Sequence, residues 1–159
     1  MIYGFSGGAH FASRFVEWKP ESVIAWGAYS AAWWDKPIAS ESMPPGIVAC
    51  GTEDERIEAS QDFFWDGREL GKPWLWIEVN GAGHSTSSEL DSFVREYFDA
   101  ILKAEGKIMP YNSGIWLDIY DHRTLSAKEA KLRPCAAAWL PDTVLYEKWL
   151  LLTNGDKKK

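Results

Sequence analysis

Nearly uninterrupted apolar runs mark three segments in the first half of the chain, residues 23–29, 47–50 and 74–79. Apolar runs of about four to eight residues without regular polar alternation are typical of β-strands that are buried on both faces. A shorter apolar lead, residues 1–3, precedes the first glycine-rich turn and predicts one further short strand. The pattern therefore predicts three or four strands inside a buried sheet.

Between these runs, apolar residues recur at helical spacing. In residues 8–18, Phe11, Phe15 and Trp18 repeat at intervals of four and three, which predicts one apolar helical face. Proline disfavours helical geometry at the residue before it, so we expect this first helix to end just before Pro20.

A second helix is predicted over about residues 58–70, with Gly71 as its end. Its inward-facing positions would be Phe63, Phe64 and Leu70. Both helices lie between predicted strands, so each would connect two strands of the same sheet.

The strongest helical pattern follows the third apolar run. Its amphipathic stripe consists of Leu90, Phe93, Val94, Tyr97, Phe98, Ile101 and Leu102. Thr86 and Glu89 fit a capping box at the start of this helix, and Gly106 fits its end. Because strands alternate with helices, we expect an α/β fold, a three-layer α/β/α arrangement around a mostly parallel sheet of three to four strands.

The last part of the chain, residues 107–159, carries weaker patterns. It contains one short apolar segment, residues 115–117, and a pattern that fits a terminal helix. The apolar positions of that helix would be Leu145, Trp149 and Leu152. We expect residues 107–159 to be a C-terminal extension that packs on the domain formed by residues 1–106.

Composition narrows the functional classes. The 159 residues are 46% hydrophobic and 25% charged, which is ordinary for one globular domain. Seventeen basic against 23 acidic residues give a net charge of −6, which argues against a general nucleic-acid binder. No apolar run approaches the ~20 residues that span a bilayer, so no membrane partner is expected. The cysteines, Cys50 and Cys135, lack metal-ligand spacing, and Cys50 is expected to be a buried thiol.

The stretch Gly4-Phe5-Ser6-Gly7-Gly8 carries the most specific candidate chemistry. It lies between a predicted strand and a predicted helix, where a serine on a sharp turn would present its hydroxyl at the edge of the sheet. Gly4 and Gly8 would allow the close backbone approach that such a turn requires. The amide of Gly7, at the start of the helix, would point where an oxyanion forms. The alternative is a glycine-rich turn with a solvated serine.

Two further reactive groups follow predicted strands. Asp54 comes shortly after the second apolar run, and His84 comes shortly after the third. The carboxyl ends of parallel strands meet at one edge of a sheet, so we expect both side chains there, together with Ser6. Each has an alternative interpretation, because Glu53 or Glu55 could be the acid and His84 could be a loop or capping histidine.

Together these motifs resemble the α/β-hydrolase superfamily, in its serine esterase and depolymerase-like branch. The family's Gly-x-x-Asp pattern is matched by residues 51–54, and its Gly-x-Gly-His pattern is matched by residues 81–84. The chain order of serine, acid and histidine is also that of the family. The resemblance covers roughly residues 1–105. It implies no metal and no organic cofactor.

The resemblance also implies a role for each residue. Ser6 would be the nucleophile and His84 its general base, while Asp54 would orient the imidazole and stabilise its cation. Gly7 would donate to the oxyanion. The implied activity is hydrolysis of a carboxylic ester through an acyl-enzyme, with a small-molecule or polymer ester as substrate.

Several alternatives stay open. A serine peptidase uses the same groups as an esterase, and a non-catalytic remnant or interaction domain would keep the motifs without the activity. Trp33 and Trp34, in a predicted loop over residues 30–46, would either form a substrate wall or belong to the core. Of the other histidines, His10 is expected to be a hydrogen-bonded packing residue and His122 to lie on the surface.

The chain departs from the family ahead of the serine turn, where the family has several strands and this sequence has three residues. The family takes its second oxyanion donor from that region, so only the Gly7 amide is expected here, and losing one donor typically costs about 10²–10³ in turnover. The predicted strand 23–29 would present a bare apolar edge, through which the chain could self-associate. We therefore expect Met1 to be an internal or misassigned start, and residues 1–106 to be the C-terminal half of a truncated α/β-hydrolase domain.

Overall fold

Four parallel strands form the larger sheet of the molecule. The structure, a computed structural model, describes residues 1–102 and 113–155. The order of the strands in the sheet follows the chain: β1 (Ile2–Phe5), β2 (Trp26–Tyr29), β3 (Gly46–Gly51) and β4 (Trp74–Val79). Each neighbouring pair is parallel, so the predicted parallel sheet is confirmed.

Five helices are found in the described part of the chain. They are α1 (Gly7–Trp18), α2 (Ile57–Glu69), α3 (Ser88–Leu102), α4 (Ala127–Leu132) and α5 (Val144–Asn154). The predicted helices over 8–18 and 58–70 are therefore confirmed to within one residue at each end. None of the described helices is long and apolar enough to cross a membrane.

Successive residues of β1 show that helices lie on both faces of the sheet. A Cβ on Gly4 would stand 2.2 Å from the backbone of Gly8, so α1 lies against the face to which Gly4 belongs. The hydroxyl of Tyr3, which points to the opposite face, donates to Asp91 of α3 at 3.0 Å. The arrangement is compatible with a three-layer α/β/α fold.

The edge strands of the sheet are β1 and β4, and the prediction that residues 23–29 form an edge was wrong. All four residues of β1 pair with β2, which therefore lies between β1 and β3. The amides of Ile2 and Ser6 donate to Ala25 and Tyr29, on the β2 side. Because backbone groups alternate in direction along a strand, those of Tyr3 and Phe5 point away from the sheet.

The buried face of α1 differs from the predicted one. Phe11 and Trp18 are 62% and 71% exposed, and Phe15 is half-buried between their rings. The buried positions are Ala9, Ala12, Ser13 and Val16. The helix passes so close to β1 that only small side chains fit beneath it, which leaves the large aromatics outside. We call Phe11, Phe15 and Trp18 the α1 aromatic stripe.

The ends of the next two helices differ from the sequence pattern in detail. Phe63 and Phe64 are buried as predicted, but Leu70 follows the last turn of α2 and is exposed. Gly71 adopts a φ of +80° directly after it, as a helix-terminating glycine does. The stripe of α3 is buried at Leu90, Phe93, Val94, Tyr97 and Ile101, whereas Phe98 is half-buried and Leu102 is exposed.

The predicted cap of α3 was wrong by one residue. The hydroxyl of Ser87 accepts a hydrogen bond from the amide of Leu90 at 3.1 Å, so Ser87 caps the helix where Thr86 was expected. The carboxylate of Glu89 accepts from the hydroxyls of Ser87 and Ser88. The predicted end of the helix at Gly106, like the boundary between residues 106 and 107, lies outside the described residues.

A second sheet, which the sequence patterns did not predict as such, follows in the C-terminal part of the chain. Its antiparallel strands are β5 (Ile115–Asp118), β6 (Thr124–Leu125) and β7 (Ala137–Leu140), in the order β6-β5-β7. This part packs on the main domain, because Trp139 and Trp149 belong to the same buried core as β4. The indole of Trp149, in the predicted terminal helix α5, donates to the carbonyl of Trp76 at 2.9 Å.

Candidate active site

Three side chains that follow strand ends meet at one edge of the parallel sheet. Ser6 follows β1, Asp54 follows β3 and His84 follows β4. The Nε2 atom of His84 lies 3.1 Å from the Oγ atom of Ser6, and its Nδ1 atom lies 2.9 Å from Oδ2 of Asp54. The structure thus brings together the three residues that the sequence motifs singled out, in one hydrogen-bonded line.

The turn between β1 and α1 holds Ser6 in a backbone conformation that residues other than glycine rarely adopt. Its φ and ψ are 53° and −115°, and non-glycine residues in such regions are strained by about 1–3 kcal/mol. Gly4 is required nearby, because a Cβ there would overlap the backbone of Gly8. Gly7 and Gly8 have open space where a Cβ would stand. Of the two glycines expected to allow a close backbone approach, Gly4 and Gly8, only Gly4 does so.

The first turn of α1 leaves free backbone donors beside Ser6. The first backbone bonds inside the helix are donated by Ala9 and His10 to the carbonyl of Ser6. The amides of Gly7 and Gly8 therefore have no acceptor within the helix, and both residues are exposed. These amides lie at the positive end of the helix dipole, where a developing negative charge is stabilised.

Asp54 is the buried member of the line. Its side chain is fully buried, and its Oδ1 atom accepts from the amide of Arg56 at 3.1 Å and from Nη1 of Arg56 at 2.9 Å. Burial raises the pKa of Asp54, but the hydrogen bonds from His84 and Arg56 outweigh it and hold the pKa at about 2. The two alternative acids, Glu53 and Glu55, are exposed, so Asp54 is the carboxylate that supports the imidazole.

The loop that carries His84 is built by close contacts with the loop after β3. A Cβ on Gly51 would stand 2.1 Å from the carbonyl oxygen of Ala82, so glycine is required there. Gly81 adopts a φ of +69°, and its amide donates to the hydroxyl of Thr52 at 2.8 Å. These contacts bring the imidazole of His84 above the strand ends, with one side against the ring of Phe5 at 4.8 Å.

The acid of the line is buried, whereas the imidazole and the serine are both accessible to solvent. The side chain of Asp54 is fully buried, that of His84 is 32% exposed, and Ser6 is half-buried at the rim. A buried carboxylate fixes the tautomer of the ring that places the unprotonated nitrogen toward the hydroxyl. The arrangement can therefore withdraw a proton from Ser6 while the acid stabilises the resulting imidazolium.

The two tryptophans considered as a substrate wall occupy different environments. Trp34 stacks on Phe63 at 4.3 Å, and its indole donates to the hydroxyl of Ser60 at 3.2 Å, so it contributes to the core. Trp33 is 56% exposed and packs with one side against His10, with ring centroids 4.2 Å apart and the rings tilted by 39°. Since His10 lies one helical turn after Ser6, Trp33 is the tryptophan placed near the serine.

His10 holds the loop after β2 rather than reaching a substrate. Its Nε2 atom accepts hydrogen bonds from the amides of Ala32 at 2.8 Å and Trp33 at 3.3 Å, which requires a neutral ring. Burial, followed by the charge of Arg14, lowers the pKa of His10. The prediction of a hydrogen-bonded packing histidine is confirmed. The salt bridge from Arg14 to Asp35, at 2.6 Å, fastens the same loop to the next turn of α1.

The prediction of a surface position for His122 was wrong. The residue is half-buried, and its Nδ1 atom lies 3.2 Å from Nδ2 of Asn154. Its ring packs edge-to-face on Trp149 at 5.2 Å, and its carbonyl accepts the hydroxyl of Tyr146. His122 therefore ties the loop between β5 and β6 to α5, because the second sheet folds back onto that helix.

Two residues near the line were missed at the sequence level. Arg56 contacts Asp54 twice, and no spacing motif marks an arginine for this position. Ser30, just after β2, is fully buried with a φ of 54°, and its Oγ atom lies 3.5 Å from Sγ of Cys50. Cys50 is buried as predicted, and burial raises the pKa of its thiol. A serine at the end of an apolar run was the only available signal for Ser30.

Within residues 1–102 and 113–155, no group of three His, Cys, Asp or Glu side chains is arranged to hold a metal ion. Comparison with known proteins found no matching family model, no matching curated protein and no matching solved structure. The site is therefore interpreted from its own geometry.

Proposed function

We propose that this protein is a serine hydrolase that cleaves carboxylic esters through an acyl-enzyme, on a truncated α/β-hydrolase fold. The observation that carries the proposal is the hydrogen-bonded line from Asp54 through His84 to Ser6, at the edge where the parallel strands end. The residues come from three separate strand ends, and packing of a sheet does not by itself require this combination of groups.

In the first half of the proposed reaction, Oγ of Ser6 attacks the carbonyl carbon of the ester while its proton passes to Nε2 of His84. The carbonyl oxygen becomes an oxyanion, stabilised by the amide of Gly7 at the start of α1. The bond to the leaving alcohol then breaks, and that oxygen takes the proton from Nε2. The products of this half are the free alcohol and an acyl group on Ser6.

In the second half, water attacks the acyl carbon and gives a proton to Nε2 of His84. The bond between the acyl carbon and Oγ of Ser6 breaks, and the proton returns to Oγ, which releases the carboxylic acid. Throughout, the carboxylate of Asp54 stays ionised, because its pKa of about 2 lies far below neutral pH. Its charge stabilises the imidazolium that forms in both halves.

An open rim favours a substrate that is not fully enclosed. Gly7 and Gly8 are exposed and have free space beside them, and Trp33 offers one uncovered ring side near the serine. An apolar or aromatic group of a small ester, or a segment of a polymer ester, would pack on that ring. Trp34 has no part in this proposal, because its ring is used in the core.

Steady-state hydrolysis of p-nitrophenyl acetate and butyrate, beside an aminoacyl p-nitroanilide, tests the proposal. We expect ester turnover well above the buffer rate, amide turnover at least about tenfold slower, and loss of both in His84→Ala. Amide cleavage that equals or exceeds ester cleavage would instead identify a peptidase. Turnover that is unchanged in His84→Ala would exclude the proposed base.

A second candidate function is self-association, which the open edge of β1 and the α1 aromatic stripe favour. The outward backbone groups of Tyr3 and Phe5 have no pairing strand among the described residues. Antiparallel pairing of β1 with β1 of a second copy would give these backbone groups hydrogen-bond partners. Such a pair has a two-fold axis normal to the sheet, which places both copies of α1 on the same face of the joined sheet. Neighbouring aromatic stripes could then cover one another.

Sedimentation equilibrium of the whole chain tests this second function. We expect a dimer that the double variant Phe11→Ser/Trp18→Ser converts to monomer, while the matched variant Leu132→Ser/Val144→Ser, at exposed positions elsewhere, stays dimeric. A monomer at about 100 μM wild-type protein would contradict self-association, because stable interfaces bind well below that concentration.

A further inference from the structure

Each oxygen of the Asp54 carboxylate contacts a different basic side chain, and the hydroxyl of Ser30 is a further hydrogen-bond partner. Oδ2 receives the ring of His84 at 2.9 Å, whereas Oδ1 receives both the amide and the guanidinium of Arg56. The Asp54 side chain is fully buried and that of Arg56 is 24% exposed, so this ion pair is largely shielded from water. A permanent positive charge therefore lies on the opposite side of the carboxylate from the imidazole.

The two contacts of Arg56 do different things. Its backbone amide, immediately before α2, fixes the rotation of the carboxylate, and this donor is present whichever side chain stands at position 56. Its guanidinium adds charge. A positive charge on one oxygen of Asp54 weakens the attraction of the carboxylate for a second positive charge on the imidazole. Substitution of Arg56 should therefore change the charge at the site more than its geometry.

Among the residues that the structure describes, the other titratable groups around this pair do not supply a comparable cation. Burial raises the pKa of Cys50, and burial raises the pKa of Tyr29 to about 12, so both are neutral near pH 7. Asp91 of α3 accepts the hydroxyl of Tyr3. Glu55 pairs with Nη1 of Arg56 at 3.2 Å, but its side chain is 82% exposed and its charge is screened by water. Arg14 and Asp35 face His10 on α1 and pair with one another.

We propose that Arg56 is a positioning residue that lowers the pH at which His84 takes up a proton, and so extends the active range of the site toward acid. The proposal rests on the proposed hydrolase function for its consequence in turnover. Its physical content is a coupling between two side chains, Arg56 and His84, that both contact Asp54. That coupling exists whether or not the protein hydrolyses an ester.

Proton NMR titration of the ring C2 protons in the whole chain tests the coupling directly. In Arg56→Gln we expect the midpoint of His84 to rise by about 0.5–1 pH unit, because a positive charge on the far side of the shared carboxylate is removed from a partly screened site. Arg56→Lys keeps the charge and should move the midpoint by less than half as much. The midpoints of His10 and His122 should stay within about 0.2 unit and serve as internal references.

Arg133→Gln is the matched control, because Arg133 makes the same kind of contact far along the chain. Its Nη1 atom lies 3.1 Å from Oδ2 of Asp118, whose side chain is fully buried and also accepts two backbone amides. We expect no change in the His84 midpoint in this variant. An unchanged or lowered midpoint in Arg56→Gln would overturn the proposal. If Arg56→Gln does not fold, Arg56→Met, which also removes the charge, takes its place, and an unchanged or lowered His84 midpoint in that variant would overturn the proposal equally.

Turnover separates this proposal from the proposed function. If wild-type protein hydrolyses p-nitrophenyl esters, the acid limb of kcat/KM in Arg56→Gln should move by the same amount and in the same direction as the NMR midpoint, with the plateau within about threefold. If wild-type protein shows no hydrolysis, the proposed function fails, while the NMR midpoints still decide the coupling between Arg56 and His84.

Discussion

The ends of β1 and β2 share a backbone feature, a serine with a positive φ directly after the strand. The two serines differ in what surrounds their hydroxyls. Ser6 and Ser30 each follow the last residue of a parallel strand, with φ of 53° and 54°. The amide of Ser6 donates to the carbonyl of Tyr29, and the amide of Ser30 donates to that of Ala49, both at 2.9 Å. The strained serine is thus repeated on two neighbouring strands, each time bonded to the next strand.

The surroundings of the two hydroxyls differ. Ser6 starts α1 at the rim and faces the imidazole of His84, whereas Ser30 is fully buried and faces the thiol of Cys50. Even the residue two positions earlier differs, since Gly4 pairs in register with Ala28. The comparison indicates that strand-end strain alone does not make a nucleophile. A base within hydrogen-bonding distance and access to substrate are also required.

The largest expected effect is a difference in turnover between alanine variants of Ser6 and Ser30. Ser6→Ala should lower ester kcat by about 10⁴-fold or more, because it removes the attacking oxygen. Ser30→Ala should stay within about tenfold of the wild type, since its buried hydroxyl contacts Cys50 and Asp54 and is not the attacking group. The comparison of the two strand ends fails if both variants lose activity to the same extent, measured with p-nitrophenyl butyrate.

Removing the carboxylate that supports His84 tests whether the neighbouring base distinguishes Ser6 from Ser30. Asp54→Asn should lower kcat by about 10²–10⁴-fold, because the amide cannot stabilise the imidazolium as a carboxylate does. Asp118→Asn is the matched control, a buried acid that likewise pairs with an arginine and accepts backbone amides, and it should leave kcat within about threefold. Equal losses in the two variants would point to general destabilisation instead.

The two glycines on either side of the Ser6 turn offer a stability comparison. Gly4→Ala should destabilise the protein by more than about 3 kcal/mol, because its Cβ would stand 2.2 Å from the backbone of Gly8. Gly8→Ala meets nothing within 4 Å and should change stability by less than about 1 kcal/mol. Urea unfolding measures both, and similar values would show that β1 and α1 are not in close contact.

Lowering the pH should lower the free energy of unfolding, because protonation of Asp54 weakens its contacts with His84 and Arg56. Its pKa in the folded protein, about 2, is below the usual value near 3.9, so the contribution of these contacts, about 2–3 kcal/mol, is complete above roughly pH 5 and falls away as pH drops through 4 toward 2. By pH 3, about half of it should be gone. The stability gap between the wild type and Asp54→Asn should narrow accordingly in urea unfolding. A gap that is constant from pH 6 to pH 3 would contradict the contacts of Asp54 with His84 and Arg56.

Much of the main sheet could be predicted, because its strands are buried on both faces and therefore appear as apolar runs. Ser6, Asp54 and His84 could be predicted to meet, because parallel strands bring their carboxyl ends to one edge. The face of α1 could not be predicted from its apolar spacing. The close approach of the helix to β1 depends on Gly4, and that contact admits only small residues such as Ala9 and Ala12.

Each missed feature lacks a recognisable pattern within its own stretch of sequence. The short strands β5, β6 and β7 carry few residues each, so no periodicity could develop within them. His122 was expected at the surface because its partners, Asn154 and Trp149, come from the end of the chain. Arg56 lies two residues after Asp54, and only the fold shows that its side chain turns back onto that carboxylate.

The most direct test of the central claim is covalent labelling of the folded chain with a fluorophosphonate, followed by peptide mapping of the adduct. We predict one adduct per chain, on Ser6, that disappears in Ser6→Ala and in protein unfolded by urea, because only the folded line from Asp54 through His84 activates that hydroxyl. Labelling of another residue, or no labelling of protein whose folded state is verified by circular dichroism, would contradict the claim.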